Sequence, residues 1–286
     1  MNMQDPATTT TTTTTIPLGI SPSELPALST HRMEVLKTAN DPNVTVGRLE
    51  EVIGRDQSLA LRVLKIANSP LYGRSGDVKS IRRAVFLLGR DQIKHVAAAL
   101  AIAPVFDTNV EGLVEGTVLW KHALATASWV ERISKYVGRR LPEQMYTASL
   151  MHDIGLVIML KCVEQEVEVI RTARDKDLPV EQVERQTFGT DHGALAASVC
   201  EAWGLPPALS GILANHHEPA DGVGHLLALG QWMARHTGFP EFDWMSVMAC
   251  ADQEHLEVLE LSDEDIENIL REVEYVREEV AVLGMN

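Results

Sequence analysis

An all-α fold is predicted by three observations. Helix-forming residues dominate, and runs rich in β-branched side chains are almost absent. Apolar positions recur at three- and four-residue spacing, and Ser, Thr, Asp or Pro stands where successive periodic segments would begin. At 286 residues the chain can bury a large core, and 45% hydrophobic content with only 5% aromatics suits an aliphatic one.

Residues 1–20 contain eight consecutive threonines, Thr8 to Thr15, which offer no apolar face and are expected to be disordered. Residues 21–240 read as one helical domain with lobes over about 21–110 and 116–240, followed by an acidic helical segment over 241–286. In the first lobe, Met33, Val35 and Leu36 mark a helix that the Asp41-Pro42-Asn43 turn ends. Thr45 is placed to cap a helix with Leu49, Val52 and Ile53, and Ser58 one with Leu61, Val63, Leu64 and Ile66. Ser80 opens 81–88, Gly89 stops it, and a further helix covers 91–103.

This last pair imitates a helix-turn-helix. Its second segment is mostly Ala and Val, with Lys94 and His95 as its cationic candidates. A recognition helix presents several Arg, Lys, Asn or Gln side chains to base edges. The net charge of −15 also repels phosphate backbones, so nucleic-acid binding is not expected. Most of that charge is terminal: residues 252–286 carry −10, leaving −5 (−15 less −10) elsewhere. No apolar run reaches the roughly 18 residues that span a bilayer. The three separated cysteines, Cys162, Cys200 and Cys250, lack metal-like spacing and read as reduced core thiols of a cytoplasmic protein.

The polar stretch 107–116 reads as a hinge, and a helix follows from about Leu119 with His122 on its inward stripe beside Thr126, Trp129 and Ile133. Pro142 opens a run that ends at His152 and Asp153, with Gly155 expected to break the helix. Adjacent side chains on a helix differ by about 100°, yet both can reach one cation past its end. Asp191 is placed to cap a helix on which His192 shares a face with Leu195 and Val199. Pro207 starts another whose stripe ends at His216, while His217 can point either way. Four helices thus turn a histidine towards one interior, a pattern expected of a shared polar site. Imidazole and carboxylate together suit Zn, Fe or Mn. Gly224 to His236 makes a further helix, and Ser262 caps a last one running through Ile266, Ile269, Val273, Val276 and Val280.

The ordered blocks Leu25-Pro26-Ala27-Leu28, Ala67-Asn68-Ser69-Pro70-Leu71-Tyr72-Gly73, Leu119-Trp120-Lys121-His122, His152-Asp153-Ile154-Gly155, Gly189-Thr190-Asp191-His192-Gly193 and Asn215-His216-His217-Glu218-Pro219 resemble the HDOD domains over about 24–236. These are a degenerate branch of the HD metal-dependent phosphohydrolases, found in bacterial signalling proteins. The resemblance implies an HD-like helical bundle. It matches His122, His152 and Asp153 to the metal ligands of catalytic HD enzymes, and His192, His216 and His217 to the additional ligands of the cyclic dinucleotide phosphodiesterase branch. Two positions depart from it. Gln231 stands where the distal aspartate belongs, and Leu156 where that branch has lysine. A neutral amide binds a dication more weakly, and loss of the cation removes a phosphate contact. The expected function is therefore a non-catalytic signalling module that binds a partner protein or a nucleotide ligand. The alternative is a metal-dependent phosphohydrolase that uses the His/Asp cluster.

Overall fold

The computed structural model describes residues 16–26, 28–72, 78–138, 142–245 and 250–284. The threonine tract, Ala27 and Gly73 lie outside them. Residues 16–20, expected within a disordered tail, form a short turn with Ile16 and Ile20 buried. Their apolar side chains dock where threonine could not.

In the N-terminal lobe, α1 (Thr30–Ala39) is capped by Ser29 and α2 (Val46–Gly54) by Thr45. The next helix, α3 (Gln57–Ala67), is capped by Asp56 rather than Ser58, the carboxylate accepting from the Leu59 amide at 3.1 Å. Asn68 ends it, and its side chain brackets the Val78 backbone with bonds of 2.9 and 3.0 Å. Ser80 caps α4 (Ile81–Leu88), and Gly89, at φ 88°, turns the chain directly into α5 (Arg90–Ile102). Every residue of α5 from Val96 to Ile102 is buried. The C-terminal half of the second helix of the apparent helix-turn-helix is therefore sealed inside the lobe as its spine.

The stretch expected as a hinge holds a small antiparallel hairpin, β1 (Asn109–Val110) against β2 (Val114–Glu115), an addition to the all-α plan. The long α6 (Gly116–Val137) starts three residues before Leu119. After it come α7 (Met145–Met151) and α8 (Ile154–Cys162). Next are α9 (Glu166–Lys176), α10 (Val180–Phe188) and α11 (His192–Ala202). This lobe closes with α12 (Pro207–Ala214) and α13 (Gly222–His236). Lys94 of α5 is buried and pairs with Glu143 ahead of α7, which ties the lobes together.

The core of this lobe is the seam between α6 and α13. Gly230 permits it, because a Cβ there would sit 2.5 Å from Val130 and 3.3 Å from the Thr126 carbonyl. Trp129, fully buried, donates to the Thr237 hydroxyl at 3.1 Å and fixes the end of α13 to α6. Each apolar side chain sealed here contributes about 1.5–3 kcal/mol.

The acidic terminal segment folds as α14 (Gln253–Leu259), α15 (Asp263–Leu270) and α16 (Val273–Leu283), the last two separated at Arg271 and Glu272 where one helix was expected. Ser262 makes a capping box with Asp265, as its spacing predicts. The segment is not uniformly solvated: Glu279 is buried against α6 and accepts from the Ser128 hydroxyl at 2.5 Å. Cys250 is exposed rather than a core thiol, since it lies in the loop leading into α14. Among the described residues, no single helix is long and apolar enough to cross a membrane.

Candidate metal centre

The His152-Asp153 pair does not end a helix before a breaking glycine. It forms the junction between α7 and α8, and Gly155 is the second residue of α8. That glycine serves close approach: a Cβ there would lie 1.9 Å from the His192 carbonyl. The first turn of α8 can thus pack on the start of α11, which carries His192. His216 and His217 lie in the turn after α12 rather than on the helix itself, because α12 stops at Ala214. His122 comes from α6 and is fully buried.

The folded chain brings these six side chains together. Ligand-capable atoms of His122, His152 and Asp153 lie within 4.8 Å of one another, as do those of His192, His216 and His217. Asp153 joins the two groups. Its Oδ2 is 3.0 Å from His152 Nε2 and 3.9 Å from His122 Nε2. Its Oδ1 is 3.6 Å from His192 Nε2 and 3.8 Å from His216 Nε2.

Four of the imidazoles are fixed from behind. Nδ1 of His122 meets the Phe239 carbonyl at 2.7 Å, Nδ1 of His152 the Ser149 carbonyl at 2.8 Å, and Nδ1 of His216 the Leu213 carbonyl at 2.8 Å. Nδ1 of His192 meets the Glu184 carboxylate at 2.7 Å. These oxygens only accept, so each Nδ1 carries the proton. In the neutral rings every Nε2 then turns a lone pair towards Asp153. Consistent with this, Nε2 of His152, Nε2 of His216 and Oδ2 of Asp153 are buried without a hydrogen-bond partner. Lone pairs facing a carboxylate repel unless a proton or a cation stands between them. Backbone or carboxylate support on the far ring nitrogen is the arrangement that metal-ligating histidines use.

The electrostatics agree. Burial pushes His122 down, and pushes His216 down to about 3, so both rings favour the neutral form that ligates. Burial likewise depresses His217, with His216 and His192 adding to the effect. Burial would lower His192 too, but Glu184 and Asp153 outweigh it and hold the imidazolium well above its ordinary range. His192 therefore supplies the positive charge opposite Asp153, and its Nε2 lies 2.7 Å from Nε2 of His217. Burial opposes ionisation of Asp153, yet the surrounding histidines keep its carboxylate well below the usual range. A dication taking this place would displace the His192 proton.

Three contributors escaped the sequence reading. Glu184 of α10 orients His192 through both its backbone amide, at 2.9 Å, and its ring. Glu241, in the loop after α13, is buried with Oε1 3.3 Å from His122 Nε2. Arg235 of α13 holds Glu241 in a two-oxygen grip at 2.7 Å to each oxygen. Glu184 was findable, since a lone acid on the buried side of an amphipathic helix signals a partner; Glu241 carries no periodic signal. Gln231 does not reach the cluster through a hydrogen bond, and its amide oxygen accepts from Arg235 at 3.4 Å. Leu156 is buried in the core. Asp252 caps α14 through the Glu254 amide and reaches the cluster only as part of the cleft wall.

A cleft of about 540 Å³ opens onto the cluster, lined by His216, His217, Gln231, Trp232, Arg235 and Asp252 among others. A ligand thus has a path to one side of the histidines. The donor set of nitrogen and carboxylate fits a borderline divalent metal, and the unpartnered inward atoms fit its presence.

A helical bundle with a buried His-Asp junction and histidines delivered by three further elements defines an HD-like fold with a candidate metal centre. The chain belongs to the HDOD family, whose model matches residues 25–219. The fold is shared with an HDOD domain protein of unknown function from Geobacter sulfurreducens, with a TM-score of 0.75 at 24% identity, covering 91% of this chain and 92% of that one. A Shewanella amazonensis protein, provisionally named a phosphohydrolase, superposes with a TM-score of 0.72 at 21% identity, covering 92% and 96% of the two chains. An uncharacterised protein of Treponema pallidum is 20% identical over 196 residues, which are 68% of this chain but 38% of that protein. The chain therefore spans well under half the length of that relative.

Proposed function

We infer that this HDOD domain is a signalling module that binds a divalent transition metal at Asp153 and receives a phosphorylated small ligand in the adjoining cleft. One observation carries the reading: four imidazoles, each donating its Nδ1 hydrogen to a carbonyl or carboxylate behind it, converge their Nε2 atoms on a single buried carboxylate. His122, His152 and Asp153 would hold one ion, and His192, His216 and His217 a second. Such ions supply charge neutralisation for a phosphate and lower the pKa of bound water. The chain's own part is to orient the ligating rings, to exclude water on the buried side, and to present Arg235 and His217 at the cleft.

The second reading is hydrolysis of that phosphoester. It is favoured by Glu241, a buried carboxylate beside His122 that offsets the anionic charge missing at Gln231. Against it stands Leu156, which leaves the cation of the phosphodiesterase branch unreplaced.

Thermal melting of manganese-loaded protein with nucleoside monophosphates, cyclic dinucleotides and a generic phosphodiester tests both readings. A ligand that binds only the folded state raises Tm. A shift with at least one phosphate ester that disappears in His217→Ala supports the first reading, and turnover lost in His152→Ala supports the second. No shift with any of them contradicts the ligand assignment.

A further inference from the structure

We propose that Glu241 is a metal ligand and that Arg235 holds it in position, so that the carboxylate missing at residue 231 is delivered from the following loop. This rests on the metal reading above.

The loop is built for the purpose. Gly238, at φ 97°, turns the chain, and the Phe239 amide donates back to the Ala234 carbonyl at 2.9 Å. The Phe239 carbonyl then fixes Nδ1 of His122, and two residues later Glu241 places Oε1 3.3 Å from Nε2 of that same ring. One short segment therefore both orients the histidine and brings an anion to its Nε2, which the Thr126 hydroxyl also meets at 3.4 Å. With the His122 proton on Nδ1, neither Nε2 nor the Glu241 carboxylate has a hydrogen to offer the other. Two donors about 2.1 Å from a common ion lie about 3.3 Å apart when they subtend an angle near 100°. The 3.3 Å separation of His122 Nε2 and Glu241 Oε1 would suit two donors to one such ion.

Arg235 explains why Glu241 stays charged and in place. Its guanidinium grips both carboxylate oxygens, and it occupies the Gln231 amide as well. The helix position inherited from the HD pattern is thereby committed to Arg235, and the reaching carboxylate comes from ten residues further on. A purely structural Arg235–Glu241 ion pair would need no histidine nitrogen turned towards it.

Two variants separate these roles, read by metal stoichiometry and by competitive titration of manganese and zinc on the full chain. Glu241→Gln removes the ligand charge; Arg235→Gln removes only its holder. The expected result is at least tenfold weaker metal binding in Glu241→Gln and a clearly smaller loss in Arg235→Gln, which loosens the carboxylate but leaves its charge at the site. Metal affinity unchanged in Glu241→Gln would overturn the proposal, as would equal losses in both variants, the mark of a structural pair. Should Glu241→Gln fail to fold on its own, the double variant with Arg235→Gln replaces the ion pair by two amides, and a tenfold loss relative to Arg235→Gln alone is then required. Wild type that takes up no metal would instead refute the metal reading itself.

Discussion

Glu184 accepts the Nδ1 proton of His192 at 2.7 Å while also receiving the His192 backbone amide at 2.9 Å. One buried carboxylate thus sets the position of the α11 N-terminus, the tautomer of its first side chain and the direction of its free nitrogen. Glu184→Ala should lower metal affinity by about 10–100-fold, the usual effect of losing such support. Competitive metal titration reads this directly. An unchanged affinity would mean that His192 is not a ligand.

Behind Glu184 lies Glu166, whose carboxyl is pushed up to about 9 by burial and then by the charge of Glu184. Its protonated form is the one favoured in the folded chain. Its contribution to stability is therefore full below the unfolded carboxyl value of 4.5 and is lost as pH rises through about 9. Glu166→Gln imitates the protonated acid and removes that loss. Variant and wild type should melt alike at about pH 4, and the variant should melt higher by several degrees near pH 9, at about 2–4 °C per kcal/mol. Melting curves at the two pH values decide it.

Gly155→Ala tests the packing that brings α8 onto α11. Its Cβ would lie 1.9 Å from the His192 carbonyl and 2.8 Å from the carbonyl carbon, both backbone atoms. Backbone has little room to give, so a loss of about 3 kcal/mol or more is expected. Denaturant unfolding gives the value, and metal binding should weaken with it because His192 is displaced.

Leu156→Lys would restore the cation of the phosphodiesterase branch by sequence alone. The site does not await one, since Leu156 is 2% exposed within an apolar helix. An uncompensated buried ammonium costs on the order of 3–5 kcal/mol. The variant should be destabilised by that amount without gaining phosphodiesterase activity, as measured by unfolding and by turnover.

Much of this was legible before any coordinates. The caps at Thr45, Ser80, Asp191 and Ser262 follow from their spacing to the next apolar run, and all four occur. The convergence of His122, His152, Asp153, His192 and His216 followed from inward stripes and from the HDOD blocks. What sequence could not supply were relationships between elements. Gly155 reads as a helix breaker until α11 is known to lie against it. Glu241 belongs to a loop, where no periodicity announces a buried side. The split of the last helix at Arg271 and Glu272 carries no Pro or Gly to mark it.

The central claim is that the Asp153 cluster holds divalent metal. Elemental analysis of the full chain, purified without chelator and equilibrated with manganese, iron and zinc at neutral pH, tests it most directly beside Asp153→Asn. The account predicts at least one tightly held transition metal per wild-type chain and a large loss in the variant. Folded wild-type protein that retains no metal, or a variant that retains as much, would contradict it.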